Sequence, residues 1–160
     1  MMSQTKKLSI AFYWHMHQPV YQLSPEGDYL MPWTRLHAVK DYLDMVLILD
    51  KFKNTKLNFN IVPVLLDELI DYGENNMHDI HSRLTITDVD DLTDDDKEFI
   101  INNFFDANFH SMILPNEEYN RLYQKYQLCE NNDINIFSPQ EYSDLMALFN
   151  LVWFDPIYKN

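Results

Sequence analysis

The sequence predicts an α/β fold that begins with a βαβ unit, on the strength of three observations. Leu8–Met16 alternates between apolar and polar residues, and Lys56–Val62 does the same, so both segments are predicted strands. Between them, Ala38–Phe52 carries apolar residues at helical spacing. A strand, a helix and a second strand predict a right-handed crossover between two parallel strands.

The first predicted strand separates two kinds of side chain. Its apolar face consists of Leu8, Ile10, Phe12, Trp14 and Met16. His15 and His17 lie on the polar face at the strand's C-terminal end, and Asn60 has the same parity near the end of the second strand. Sites in parallel α/β folds lie past these strand ends. We therefore expect the three side chains to face one cleft or barrel interior.

The rest of the chain is predicted to be mainly helical, because start signals recur along it. Pro63 suits a first helical position, Thr93 opens a sequence that resembles a capping box, and Asn116 is a candidate cap. Ser138 gives the strongest signal, with proline next and glutamate three residues on. The predicted helices are Val64–Tyr72, Lys97–Asn108, one that begins at Asn116 and one from Ser138 to the break at Asp155.

Two parallel strands do not complete an α/β fold. Parallel sheets need helices on both faces and further strands, and a barrel of this kind usually needs about 250 residues. The chain has 160 residues and ends shortly after Pro156. The pattern therefore predicts a truncated α/β domain.

Composition and charge favour a soluble cytoplasmic protein with a neutral ligand. The net charge of −13 argues against nucleic acid and against an anionic membrane surface. Cys129 is the one cysteine, which rules out an internal disulfide and favours the cytosol. The N-terminus lacks a signal-peptide cleavage site, and no apolar run reaches the length of about 18 residues typical of a membrane span.

The His15–His17 pair has three interpretations that the spacing leaves open. Two histidines at a strand end can begin a divalent metal site in a hydrolase, with neutral ring nitrogens as ligands. They can instead hydrogen-bond to sugar hydroxyls, or they can be structural. A metal site would make the protein a metal-dependent hydrolase or deacetylase.

A second group of candidates, in the segment Tyr29–His37, precedes the predicted crossover helix. Trp33 could stack on a sugar ring, Arg35 could hold hydroxyls, and His37 adds an imidazole. The alternative is that Trp33 packs under the loop and Arg35 forms a structural ion pair. The amide of Asn60 is either a ligand contact or a clamp on the next loop.

Catalytic carboxylates are poorly represented. Glycoside hydrolysis needs two carboxyl groups that flank the scissile bond, about 5 to 5.5 Å apart when configuration is retained. The candidates lie in loops or on helices rather than at strand ends: Glu26, Asp28, Asp67, Glu68 and Asp155. The acidic tract Thr87–Glu98 fails as a calcium loop, because Leu92 occupies its fifth position, and it is predicted to be a solvated turn and a helix start.

Four segments resemble glycoside hydrolase family 57, in its α-amylase-like branch, and follow the family's order. They are His15–Pro19, Pro32–Tyr42, Phe59–Leu66 and Phe149–Pro156, within a similarity that runs from Leu8 to Ile157. The resemblance implies an incomplete TIM-like (β/α)7 barrel, with a largely helical insertion after the second strand. It also implies a retaining enzyme that hydrolyses or transfers α-1,4-glucans without metal or cofactor.

In that family the signature histidines bind the donor sugar. The resemblance therefore assigns substrate contact to His15 and His17, with more weight on His17, and makes a metal site much less favoured. The family's nucleophilic glutamate and acid/base aspartate belong to later signature regions.

We accordingly expect residues 1–160 to be the N-terminal portion of a catalytic domain. The expected partners are an α-1,4-glucan or maltooligosaccharide and the remainder of that domain, and the chain alone is expected to be inactive. A non-enzymatic carbohydrate-binding protein is the remaining alternative.

Overall fold

The structure, a computed structural model, describes residues 8–22, 24, 27–128 and 133–156. Strands β1 (Phe12–Met16) and β2 (Leu57–Ile61) form a two-stranded parallel sheet, so the predicted parallel pairing is confirmed. The crossover between them consists of α1 (Trp33–His37), a π-helical turn (Ala38–Tyr42), α2 (Leu43–Leu47) and a 3₁₀ turn (Ile48–Lys51).

Two predicted boundaries of this unit are wrong. The strand prediction begins too early, because residues 8–11 lie outside β1 and the ladder pairs Phe12 with Leu57, the first residue of β2. The helix prediction begins too late, since helical backbone starts at Trp33. The carbonyl of Pro32 already accepts a hydrogen bond from Leu36 N at 2.9 Å, so the helix begins directly after the proline.

After β2 the described chain consists mainly of helices joined by loops, as predicted. They are α3 (Pro63–Gly73), α4 (Ile80–Ile86), a 3₁₀ turn (Val89–Asp91), α5 (Asp94–Asn103), a π-helical turn (Phe109–Ile113), α6 (Glu117–Gln127) and α7 (Pro139–Trp153). The predicted starts at Pro63, Thr93, Asn116 and Ser138 are confirmed, and Thr93 and Ser138 form capping boxes.

Two helical features differ from the prediction. Helix α5 ends at Asn103 rather than Asn108, because Asn108 caps the following turn by accepting a hydrogen bond from Ser111 N at 3.0 Å. Helix α4 was not predicted. Its capping box joins Asp79 to Ser82. The sequence signature of a capping box has glutamate or glutamine at the position that Ser82 occupies, so this helix start carries no such signal.

The acidic tract forms the solvated turn and helix start that the sequence predicts. Asp94, Asp95 and Asp96 occupy the first turn of α5, where negative charge suits the helix dipole. Three residues of the sequence argument, Glu26, Cys129 and Ile157, lie outside the described residues. Among the helices that the structure describes, none has the length and apolar character needed to cross a membrane.

The hydrophobic core lies among the helices rather than on the sheet. Its fully buried members come from α1, α5, α6 and α7 and the segment after α5: Leu36, Ile100, Ile101, Phe104, Tyr119, Leu122, Leu145 and Phe149. On the sheet, Phe12 and Trp14 remain 54% and 40% exposed, whereas Met16 is buried. The helical layer therefore carries most of the apolar burial that stabilises the described chain.

His81, on α4, is a buried titratable group within this core. Its ring lies 5.0 to 5.3 Å from the rings of Phe99, Phe104 and Phe149, measured between centroids. Burial lowers the pKa of His81 from 6.5 to about 4, although the carboxylate of Asp79 opposes this shift. The ring is therefore neutral in the folded protein at neutral pH.

We predict that stability falls as the pH drops from 6.5 toward 4. In this range His81 binds a proton in the unfolded chain, whereas the buried ring of the folded protein stays mostly neutral. The free energy of unfolding should fall by about 2 kcal/mol between pH 6.5 and pH 4.5. Urea unfolding of the wild type and of His81→Phe, measured across this range, tests the prediction. The variant keeps an aromatic ring and should lose this dependence; an unchanged slope in the variant would contradict the assignment.

Candidate functional site

Three of the predicted site residues meet at the C-terminal ends of the two strands. His15 and Asn60 are partners in the strand register, and His15 Nδ1 lies 2.6 Å from Asn60 Oδ1. The ring of His17 stacks beside that of His15, with 5.9 Å between centroids and 15° between planes. Both histidines are exposed and Asn60 is half-buried. We call these three residues the strand-end cluster.

The contact with Asn60 fixes the chemistry of His15. The amide oxygen can only accept, so Nδ1 carries the proton, and in that tautomer Nε2 is left as an acceptor. The cluster therefore offers a hydrogen-bond acceptor on an exposed, stacked pair of imidazoles. Such a surface can bind groups that donate and accept hydrogen bonds, including sugar hydroxyls.

Gln18, directly after His17, anchors the loop that follows β1. Its side chain donates to the hydroxyl of Tyr42 at 2.8 Å and accepts from the hydroxyl of Tyr21 at 2.7 Å. Burial, with a contribution from the Glu68 carboxylate, raises the pKa of Tyr21, so this hydroxyl stays a donor at neutral pH. In the sequence, Gln18 stands out only as part of the segment His15–Pro19. Neither its burial nor its bond to Tyr42, 24 residues away, has a local signal.

His37 is connected to this loop through Tyr42. The two rings lie 6.1 Å apart, and His37 Nδ1 is 2.5 Å from Asp41 Oδ2. Burial alone would raise the pKa of Asp41, but hydrogen bonds from His37 and Lys40 lower it overall, so the carboxylate is ionised and orients the imidazole.

Trp33 lies on the core side of the same helix. Its ring packs on that of Trp153 with 5.9 Å between centroids, and it is half-buried against the hydrophobic core. This contact favours the packing interpretation of Trp33. Its contact with sugar stays a prediction.

Arg35 does not join the strand-end cluster, because its guanidinium binds helices of the core. Nε donates to Asp79 Oδ2 at 2.6 Å, Nη2 donates to Asp79 Oδ1 at 3.3 Å, and Nη1 donates to Asn150 Oδ1 at 2.9 Å. Asp79 is fully buried. The structure thus shows the ion pair that the sequence offered as an alternative, while contact of Arg35 with sugar stays a prediction.

The carboxylates that surround the loop after β1 are held by protein donors. Asp41 binds His37 and Lys40, Glu68 binds Tyr21 and Thr34, and Asp79 binds Arg35. Across the described part of the chain, no group of three or more histidine, cysteine, aspartate or glutamate side chains could hold a metal ion. Within that part, the His15–His17 pair therefore has no third ligand.

A concave region lies beside the other face of the sheet. This cleft, of about 660 Å³, lies between Trp14 and Leu57 of the strands and residues of the crossover such as Met45 and Ile48. None of the predicted sugar contacts lines it, although the candidate carboxylate Asp155 does. The strand-end cluster, in contrast, is an open surface.

Comparison with known proteins gives a family but no individual relative. A family model described as glycosyl hydrolase family 57 matches residues 11–160, which include the whole strand-end cluster. Neither the curated proteins nor the solved structures contain a significant match to the chain.

We predict that Arg35→Met lowers the free energy of unfolding by about 3 kcal/mol, because it leaves the buried carboxylate of Asp79 without its cation. The matched control is Arg83→Met. Arg83 pairs with Asp28 at 3.4 Å, but the two side chains are 49% and 43% exposed, so the loss should stay within about 1 kcal/mol. Urea unfolding measures both. Equal losses in the two variants would contradict the structural role of Arg35.

Proposed function

The chain belongs to glycosyl hydrolase family 57, and from that premise we propose that it supplies donor-site sugar contacts for a retaining enzyme that acts on α-1,4-glucans. Membership indicates a glycoside hydrolase that works in carbohydrate metabolism. The observation that carries the proposal is the contact of His15 with Asn60 beside the stacked ring of His17.

The chemistry of the cluster suits a neutral polyhydroxyl ligand. Sugar hydroxyls both donate and accept, and His15 offers an acceptor at Nε2 while the exposed ring of His17 offers a second polar contact. A net charge of −13 does not repel an uncharged glucan. Direct contact is thus proposed for His15, His17 and Asn60.

The other predicted sugar contacts, His37, Trp33 and Arg35, have secondary roles in the proposal. His37 reaches the loop after β1 through Tyr42, and Trp33 lies on the same helix beside Trp153. Both can extend the surface toward a second sugar unit. Arg35 contributes by holding α1 against the core through Asp79.

The proposal extends to the architecture of the enzyme. Strands β1 and β2 are taken as the first two strands of a (β/α)7 barrel, and α3–α7 as a helical insertion after the second. The catalytic carboxylate pair is assigned to the remainder of the catalytic domain, so this chain binds glucan without cleaving it. The lone cysteine in 160 residues fits a cytoplasmic enzyme.

We expect His17→Ala to weaken binding of a maltooligosaccharide about tenfold, which equals about 1.4 kcal/mol, because an exposed sugar contact is lost. His15→Ala should have an effect of similar size. The control is His110→Ala, since His110 is also exposed but lies on the π-helical turn after α5. Calorimetric titration measures the affinities; equal weakening by His110→Ala would rule out a specific role for the cluster.

The purified chain should release no product from maltooligosaccharides above the background rate, because the proposal places both catalytic carboxylates elsewhere. Chromatography of the sugars after prolonged incubation checks this. Turnover that His17→Ala abolishes would show instead that the chain carries its own catalytic group.

A further inference from the structure

Glu68, on α3, is a buried carboxylate in an unusual setting. Its side chain lies behind the loop that follows β1, and the residue is only 3% exposed. Among the described residues, no lysine or arginine forms an ion pair with it. A buried charge without a cation is costly, so a position that served stability alone would suit an apolar residue better.

The carboxylate joins three segments of the chain. Oε1 accepts a hydrogen bond from the backbone N–H of Tyr21 at 3.2 Å, and Oε2 accepts one from the hydroxyl of Thr34. Tyr21 belongs to the loop after β1, Thr34 to the first turn of α1, and Glu68 itself to the helix after β2. Glu68 thus fixes the position of the loop after β1 relative to α1, in the crossover, and to α3, the helix after β2.

The bonds continue from Tyr21 to the neighbour of His17. The hydroxyl of Tyr21 donates to Gln18, and Gln18 donates to Tyr42. The ring of His17 stacks on that of His15, but no side-chain hydrogen bond of His17 is found within the described part of the chain. Its orientation is therefore set by the backbone, which β1 holds on one side and buried Gln18 holds on the other.

We propose that Glu68 is the positioning residue for His17. It keeps the loop in the conformation that presents this imidazole beside His15, which Asn60 holds independently. The consequence for sugar affinity rests on the proposed function, whereas the effect on the orientation of His17 does not. Loss of Glu68 should therefore disturb His17 and leave His15 in place.

Two variants of Glu68 separate hydrogen bonding from shape. Glu68→Met keeps the length of the side chain and removes both acceptors, so the Tyr21 N–H and the Thr34 hydroxyl lose their partner. Glu68→Gln retains an oxygen for Tyr21 and an amide that can pair with Thr34. Ile100→Val serves as a destabilised control, because it removes one methyl group from the core and lies on α5, outside the three segments that Glu68 joins.

Two readouts apply to each protein: the histidine ring resonances by NMR, and the affinity for a maltooligosaccharide by calorimetry. For Glu68→Met we expect a shifted His17 resonance, unchanged His15 and His81 resonances, and affinity reduced about tenfold. Glu68→Gln should restore the His17 resonance and bring the affinity within about threefold of the wild type. Ile100→Val should change stability alone.

Several outcomes would overturn the proposal. A wild-type His17 resonance in Glu68→Met would do so, as would equal changes in His17 and His15, or the same changes in Ile100→Val. If the wild type binds no glucan, the proposed function fails and the His17 resonance alone decides the role of Glu68. If Glu68→Met does not fold, Thr34→Val replaces it, with Thr34→Ser as the variant that keeps the hydroxyl.

Discussion

The ion pair between Arg35 and Asp79 is the constraint on which the rest of this structure depends. Asp79 is fully buried, caps α4 through Ser82 and binds the guanidinium of Arg35 with both oxygens. Arg35 also donates to Asn150 on α7. The contact therefore ties α1, which belongs to the crossover between the strands, to the helices that hold the core. Because the sheet itself is largely exposed, this link determines where the strand ends lie relative to the stable part of the chain.

Helix α1 contacts both the buried ion pair and the surroundings of the loop after β1, because its side chains point in different directions. Arg35 and His37 are two residues apart, which separates their side chains by about 200° around the helix. Arg35 accordingly meets the buried ion pair. His37, one turn after Trp33, packs with it against Trp153. His37 also contacts Tyr42, which bonds to Gln18 in the loop after β1. The π-helical turn Ala38–Tyr42 follows immediately and alters the helical phase at Tyr42. Turns of this kind are rare in helices and frequently occur at functional sites.

Sequence reasoning predicted those features that local patterns determine. Strand alternation placed His15, His17 and Asn60 together, and capping residues such as Ser138 marked helix starts correctly. It did not predict the roles of Asp79 or Glu68, because their partners lie far away along the chain: Arg35 is 44 residues from Asp79, and Tyr21 is 47 residues from Glu68. Periodicity reports which face of an element is buried. It does not report which polar group a buried carboxylate will meet.

The arrangement also separates the proposed sugar contacts from the residues whose substitution would lower stability. His15 and His17 are exposed and make few contacts, so substituting them should change the free energy of unfolding little. Gln18 and Glu68 are buried, and each must keep its hydrogen-bonding partners or leave an unpaired polar group inside the protein. Unlike His15, which Asn60 holds directly, the exposed imidazole of His17 depends on this buried layer for its orientation, because the sheet around it supplies little packing. The orientation of His17 therefore depends on buried hydrogen bonds rather than on the hydrophobic core. A substitution that weakens the core should leave this orientation unchanged.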